Sequence, residues 1–193
     1  MSIDLTAATQ RMADLVASVG DDDLGRPTPC PQYRVGDLLD HIHGLAIAFA
    51  MVARKESGPE TRGAPGDAAH LDDAWRTSIP AALVELAVAW NEPGADEGMT
   101  QAGGMDMPGE VANAVALAEV VVHGWDLARA LDRPFAAGED ELAAVSGFYG
   151  EFPDEARSAE PDAAFGPVVA VGDDASPLDR ALALSGRDPA WSP

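Results

Sequence analysis

Basic residues are scarce in this chain: lysine and arginine together number 12 against 33 aspartates and glutamates, and Lys55 is the only lysine. The formal net charge is −21, and no cluster of bases stands out. Without one, neither nucleic acid nor an anionic membrane surface is an expected partner. Cysteine is scarcer still. The single Cys30 cannot close an internal disulfide, so nothing demands an oxidising compartment. No uninterrupted apolar run reaches the roughly 18 residues of a membrane span. The N-terminal stretch MSIDLTAATQRMADL lacks the basic-then-apolar order of a secretion signal. These absences point to a cytoplasmic protein. Also missing are a G-x-S-x-G elbow, a phosphate-binding glycine loop and a dinucleotide fingerprint, which removes the commonest hydrolase and nucleotide chemistries.

What is present is apolar surface in helical order. Hydrophobic residues make up 47% of the 193, enough for one domain with a real core. Ile3, Met12, Leu15, Val16 and Val19 mark a first helix within residues 3–19. After the proline-broken GRPTPCPQY, a second helix runs from Val35 to about Ala53, apolar on nearly every side and hence deeply buried. ESGPETRGAPGDAA (56–69) reads as a surface loop. A third helix spans about Leu71 to Trp90, with Pro80 predicting a kink or break. The turn-rich NEPGADEGMTQAGGMDMPGE is a long connection, and connections of that size are often functional. Pro108 opens a fourth helix, Gly109 to about Leu131. A short helix is expected at 139–151. Ser176, Pro177 and Asp179 form a cap, a first-turn proline and a capping-box acid for a last one, which Gly186 stops. PVVAV (167–171) reads as a short strand or an extended tail.

Four main helices with long connections predict an all-α four-helix bundle, an architecture that builds metal sites from side chains on facing helices. We expect a single domain over 1–193, the bundle occupying about 1–152 and a C-terminal extension with one small helix about 153–193.

EVVVHGWD (119–126) carries the chemistry. Glu119 and His123 are four residues apart, so they share one helix face, within a run of valines that offers little other polar surface. A buried carboxylate needs a partner. The pair could form a salt bridge, a core hydrogen bond or two-thirds of a metal site. DHIHG (40–44) offers a third ligand in His41 or His43. These lie about 200° apart on a helix and cannot both face one point, and periodicity favours His41 only slightly. Two histidines and a carboxylate leave coordination positions open, as catalytic rather than structural zinc sites do; iron, nickel and manganese suit the same ligands. Asp126 could orient His123 or simply face solvent. Cys30 could be a nucleophile or ligand, although a lone buried cysteine is more often inert. Met99, Met105 and Met107 could line a pocket or fill gaps. His70, at a loop edge, reads as exposed, and Trp125 as core.

TPCPQYRVGDLLDHIHG, followed far downstream by EVVVHGWDLARALDRPF, resembles the actinobacterial metal-binding proteins related to mycothiol-dependent maleylpyruvate isomerase, within the DinB-like helical superfamily that includes bacillithiol S-transferases. The tail FGPVVAVGDDASPLDRALALSGRDPAW is similar to a C-terminal signature of one branch. The resemblance implies a four-helix bundle with a divalent metal, usually zinc, and carries the ligands onto His41 through D-L-L-x-H and onto Glu119 and His123 through E-x-x-x-H, leaving His43 as a neighbour. It also implies mycothiol as co-substrate. The position after T-P-C that is commonly tryptophan holds Tyr33 here. The isomerase has an additional C-terminal domain that helps form its thiol site, and this sequence has none, so the metal site is expected to carry over and maleylpyruvate isomerisation is not. The expected function is a metal-dependent thiol transferase or isomerase-like enzyme acting on a small electrophile; a non-catalytic metal- or ligand-binding bundle is the alternative. A homodimer is allowed by an acidic bundle but specified by nothing in the sequence.

Overall fold

The computed structural model describes residues 3–153, 156–158 and 166–193. Four helices, α1 (Thr6–Ala17), α2 (Val35–Ala53), α3 (Trp75–Asn91) and α4 (Gly109–Ala130), form the bundle. Each packs on two others in a closed ring, α1 against α3 and α4, α2 against α3 and α4. The fold is the expected all-α bundle. A fifth helix, α5 (Glu139–Gly150), lies on α4, and α6 (Pro177–Leu184) lies on α5.

The second and fourth helices run deep because their sequences are apolar around most of the circumference. Leu38, Leu39, Ile42, Ala46 and Val52 of α2 meet Ala112, Ala116, Leu117, Val121 and Leu127 of α4 in one core cluster. By length and mean hydropathy both helices could cross a membrane, which counting uninterrupted runs did not reveal. Yet 56% and 78% of their most apolar windows are buried inside the bundle, so their apolar faces are already occupied by protein. Asp37 starts α2 by accepting from the Arg34 N–H at 2.9 Å. Ser176 starts α6 as expected: its Oγ accepts from the Asp179 N–H at 3.1 Å, worth about 1 kcal/mol in typical caps.

Two expectations change, and one choice left open is decided. The third helix starts at Trp75, after an isolated 3-10 turn at Ala68–His70, and continues unbroken through Pro80. Pro80 is the sixth residue of α3, past the unpaired first turn, so its missing N–H forgoes one intrahelical hydrogen bond, and Ile79, Leu83 and Leu86 hold the helix by core packing. The long connection contains a hairpin, β1 (Met99–Ala102) and β2 (Met105–Pro108), paired antiparallel with Ala102 opposite Met105. Its two-residue turn is Gly103–Gly104, both at positive φ (60° and 78°), as a primed turn requires. Of the two readings of PVVAV, the extended tail holds: the segment forms no strand, and the Val169 N–H donates to the Ala183 carbonyl at 3.0 Å. Residues 159–165 of the expected extension lie outside the described residues.

Candidate metal centre

His41 projects from the second turn of α2, and Glu119 and His123 from the middle of α4. One ligand atom of each lies within 4.8 Å of the other two. The His41 and His123 rings are edge-on, with centroids 4.9 Å apart and planes at 88°. His123 Nε2 is 3.1 Å from a Glu119 oxygen. That contact alone would equally suit a core hydrogen bond. The arrival of His41 from a different helix is what makes a three-donor cluster.

The opposite edge of His123 is fixed by a partner. Its Nδ1 is 3.0 Å from Asp126 Oδ2. This places the Nδ1 proton at the carboxylate contact and turns the Nε2 edge of the ring toward Glu119 and His41, the usual arrangement behind a metal-bound histidine. Asp126 is fully buried and accepts twice from Arg187, at 3.0 Å from Nη2 and 3.3 Å from Nε. On the other ligand, the Tyr33 hydroxyl lies 3.5 Å from His41 Nδ1 and accepts from the Gly66 N–H at 3.2 Å.

The protonation states divide sharply. Burial, helped by the neighbouring His123 charge, pushes His41 down to about 4, so it is a neutral donor at physiological pH. Burial also opposes charge on His123, but the hydrogen bonds to Asp126 and Glu119 overcome it and raise the group to about 9. The positive charge thus sits on His123, between the Asp126 and Glu119 carboxylates, and not on His41. Two neutral-capable imidazoles and a carboxylate fit a divalent first-row cation, with positions left for an exogenous ligand.

Two cavities meet here. One, of about 320 Å³, is lined by His41 together with Asp40, His43, Glu60 and His70. The other, of about 480 Å³, reaches Glu119 through an apolar lining that includes Phe49, Met105, Met107 and Phe148. Leu45, Ala48 and Gly63 border both.

Of the residues singled out in the sequence, His41, Glu119 and His123 come together, and Asp126 stands behind them. His43 lines the first cavity outside the cluster, and His70 is exposed and 3.7 Å from Asp40. Trp125 is buried. Met105 and Met107 line the second cavity; Met105 is also largely exposed, as is Met99, which lies on the same hairpin outside the lining. Cys30 is buried with its thiol 3.3 Å from Gln32 Oε1. Burial raises it from 9.0 to about 11, which makes it a poor nucleophile at neutral pH. Sequence reasoning missed Arg187. Its only signal was a single base in the tail string LSGRDPAW.

Fold and cluster together define a helical-bundle protein with an inward-facing His–Glu–His donor set. The chain belongs to the family described as the mycothiol maleylpyruvate isomerase N-terminal domain, whose model matches residues 5–128. It is 31% identical over 123 residues to uncharacterised proteins of Mycobacterium tuberculosis from strains CDC 1551 / Oshkosh and ATCC 25618 / H37Rv; each match covers 64% of this chain and 63% of the relative. In structure it resembles crystal structures of the mycothiol-dependent maleylpyruvate isomerase and of a histidine-to-alanine mutant of it. The TM-scores are 0.58 and 0.59 at 18% identity, covering 75% of this chain and 65% of the other. That likeness is one of fold.

Proposed function

We propose that this protein is a metal-dependent enzyme that joins a small thiol, mycothiol by its family, to an electrophile, with His41, Glu119 and His123 as the metal ligands. A divalent cation held there supplies Lewis acidity, which lowers the pKa of a thiol or water that binds it. The chain's own groups do the rest. Asp126 keeps the Nδ1 proton on His123, so the ring presents Nε2 inward; Arg187 keeps Asp126 ionised and in place. Tyr33 steadies His41 from the loop side. The buried bundle walls exclude water from one side of the cluster, and the two cavities admit reactants from the other. In the reaction the thiol proton passes to solvent and sulfur forms the new C–S bond. The electrophile either releases its halide or, for an alkene or epoxide, takes up a proton at the atom left negative.

The observation that carries this reading is the meeting of three donor atoms from two helices within 4.8 Å at the junction of two cavities. Elemental analysis of untagged protein beside the His41→Ala, Glu119→Gln and His123→Ala variants tests it. About one equivalent of zinc or a neighbouring metal is expected in the parent, as for a three-ligand site, and a loss of metal in each variant. Thiol consumption with an electrophile should fall with metal content. Protein that stays metal-free after reconstitution with zinc, nickel, iron and manganese would overturn the reading.

A further inference from the structure

The apolar cavity beside Glu119 is the more informative of the two, because of what it lacks. Its lining comes from α2 (Phe49, Val52), α4 (Val111, Val115), the hairpin (Met105, Met107) and the Phe148–Phe152 pair at the end of α5. The two phenylalanine rings stack edge-on with centroids 5.1 Å apart. Among its described lining residues Glu119 is the only ionisable one, and none is arginine, lysine or histidine. Its volume, about 480 Å³, lies within the range of small-molecule sites.

A ligand carboxylate placed here would find no cation among the described residues of the wall. One carboxylate of a dianion could face the metal position; a second would be buried among methionine, valine and phenylalanine without a partner, which is costly. The chain's charge of −21 adds a long-range penalty for anions. The cavity on the His41 side differs in that Asp40, His43, Glu60 and His70 stand in its wall beside apolar Leu45, Ile47 and Pro59, so it offers hydrogen-bonding partners to a hydrophilic molecule.

Building on the function proposed above, we infer that the Glu119-side cavity binds the electrophile and selects an uncharged, apolar one of aromatic or branched-alkyl size, while the hydrophilic thiol enters from the His41 side. Met105 and Met107 act as specificity-determining residues: unbranched and polarizable, they adapt to varied apolar shapes, and they sit on a hairpin whose Gly103 N–H donates to the Thr61 carbonyl at 2.8 Å.

The test is binding, independent of turnover. Protein labelled with ¹³C at the methionine methyls is titrated, with and without zinc, with 1,3-dinitrobenzene, maleate and mycothiol. The Met105 and Met107 signals should shift saturably with dinitrobenzene, and with neither maleate nor mycothiol. Met107→Arg should weaken dinitrobenzene about tenfold, the order expected when a charge enters an apolar lining, and should create maleate binding. Val111→Glu, on the exposed edge of α4, should weaken dinitrobenzene without affecting the fold. Methionine signals unmoved by dinitrobenzene, or Met105 and Met107 signals that maleate or mycothiol shifts as strongly as dinitrobenzene does in the parent, would overturn the inference. The two proposals fail separately: metal-free protein that still binds dinitrobenzene keeps the pocket and loses the enzyme, whereas metal-loaded protein that turns over only charged electrophiles does the reverse.

Discussion

Cys30 feels the site without joining it: the charges of Arg187, Asp126 and Glu119 all act on its thiol, yet burial is the largest influence and drives its pKa from 9.0 to about 11. Because the folded value lies above the unfolded one, the neutral thiol stabilises the folded state below about pH 9, and that contribution disappears as pH rises through about 11. Iodoacetamide at pH 8 should therefore alkylate Cys30 about a hundredfold more slowly in the native protein than in urea, since the thiolate is the reactive form, with the native rate still climbing above pH 9. A native rate equal to the unfolded one would instead mark a stabilised thiolate and return Cys30 to the catalytic candidates. At this scale the sequence was informative where contacts are local. Glu119 and His123 are one helical turn apart, and Asp126 follows within another, so spacing alone puts them together. The choice between His41 and His43 needed the family resemblance, because α2 is apolar on most sides and its periodicity scarcely separates the two.

The cluster's precision comes from how the elements press on each other, above all where the 56–69 loop crosses α2. A Cβ at Gly66 would stand 2.1 Å from the Asp37 carbonyl oxygen and 2.9 Å from the His41 Cβ, so this loop can seat against α2 only with glycine there. Gly66→Ala should push the loop outward, break its N–H bond to Tyr33 and loosen His41. We expect a loss of about 1–3 kcal/mol, the range for overpacking, together with reduced metal retention. Gly147, in the exposed middle of α5 with nothing within 4 Å of its would-be Cβ, is the control: Gly147→Ala should stabilise by about 0.5–1 kcal/mol through helix propensity and leave metal content unchanged. Thermal melts with metal analysis of both variants decide it, and a neutral Gly66→Ala would mean that the loop does not position the site. The helices were legible because α2 and α4 are long and patterned, and the shorter α5 is opened by Gly138 and a run of acids. The hairpin was not. Four-residue strands are too short for alternation to show, and Gly103–Gly104 read as a loop signal before it read as a primed turn.

Across the whole molecule, the tail is what converts a bundle into a closed site. Arg187, just beyond α6, reaches back 61 positions to Asp126, and the Arg129 guanidinium bonds the Trp191 carbonyl. Arg157 bonds the Tyr149 carbonyl at 2.6 Å and the Leu184 carbonyl at 2.7 Å, so it joins the end of α5 to the end of α6. No periodicity or local spacing predicts such a link. The tail string was recognisable as a family feature, but its task depends on a contact between distant segments. The energetics make that task measurable. Asp126 is 0% and Arg187 19% exposed at the side chain. A buried ion pair adds little net stability over apolar packing, yet removing one partner leaves a charge stranded at a cost of about 3–5 kcal/mol. Arg187→Ala should thus cost several times more than a surface substitution, whereas Arg187→Ala with Asp126→Asn should cost less than the two single changes summed. Urea unfolding of the four proteins gives the coupling directly. A coupling above about 1 kcal/mol, with metal retention reduced in Arg187→Ala, is the outcome of a tail that holds Asp126 against His123. Strict additivity would mean that the tail only rests on the bundle, and Asp126 would then have to orient His123 without it.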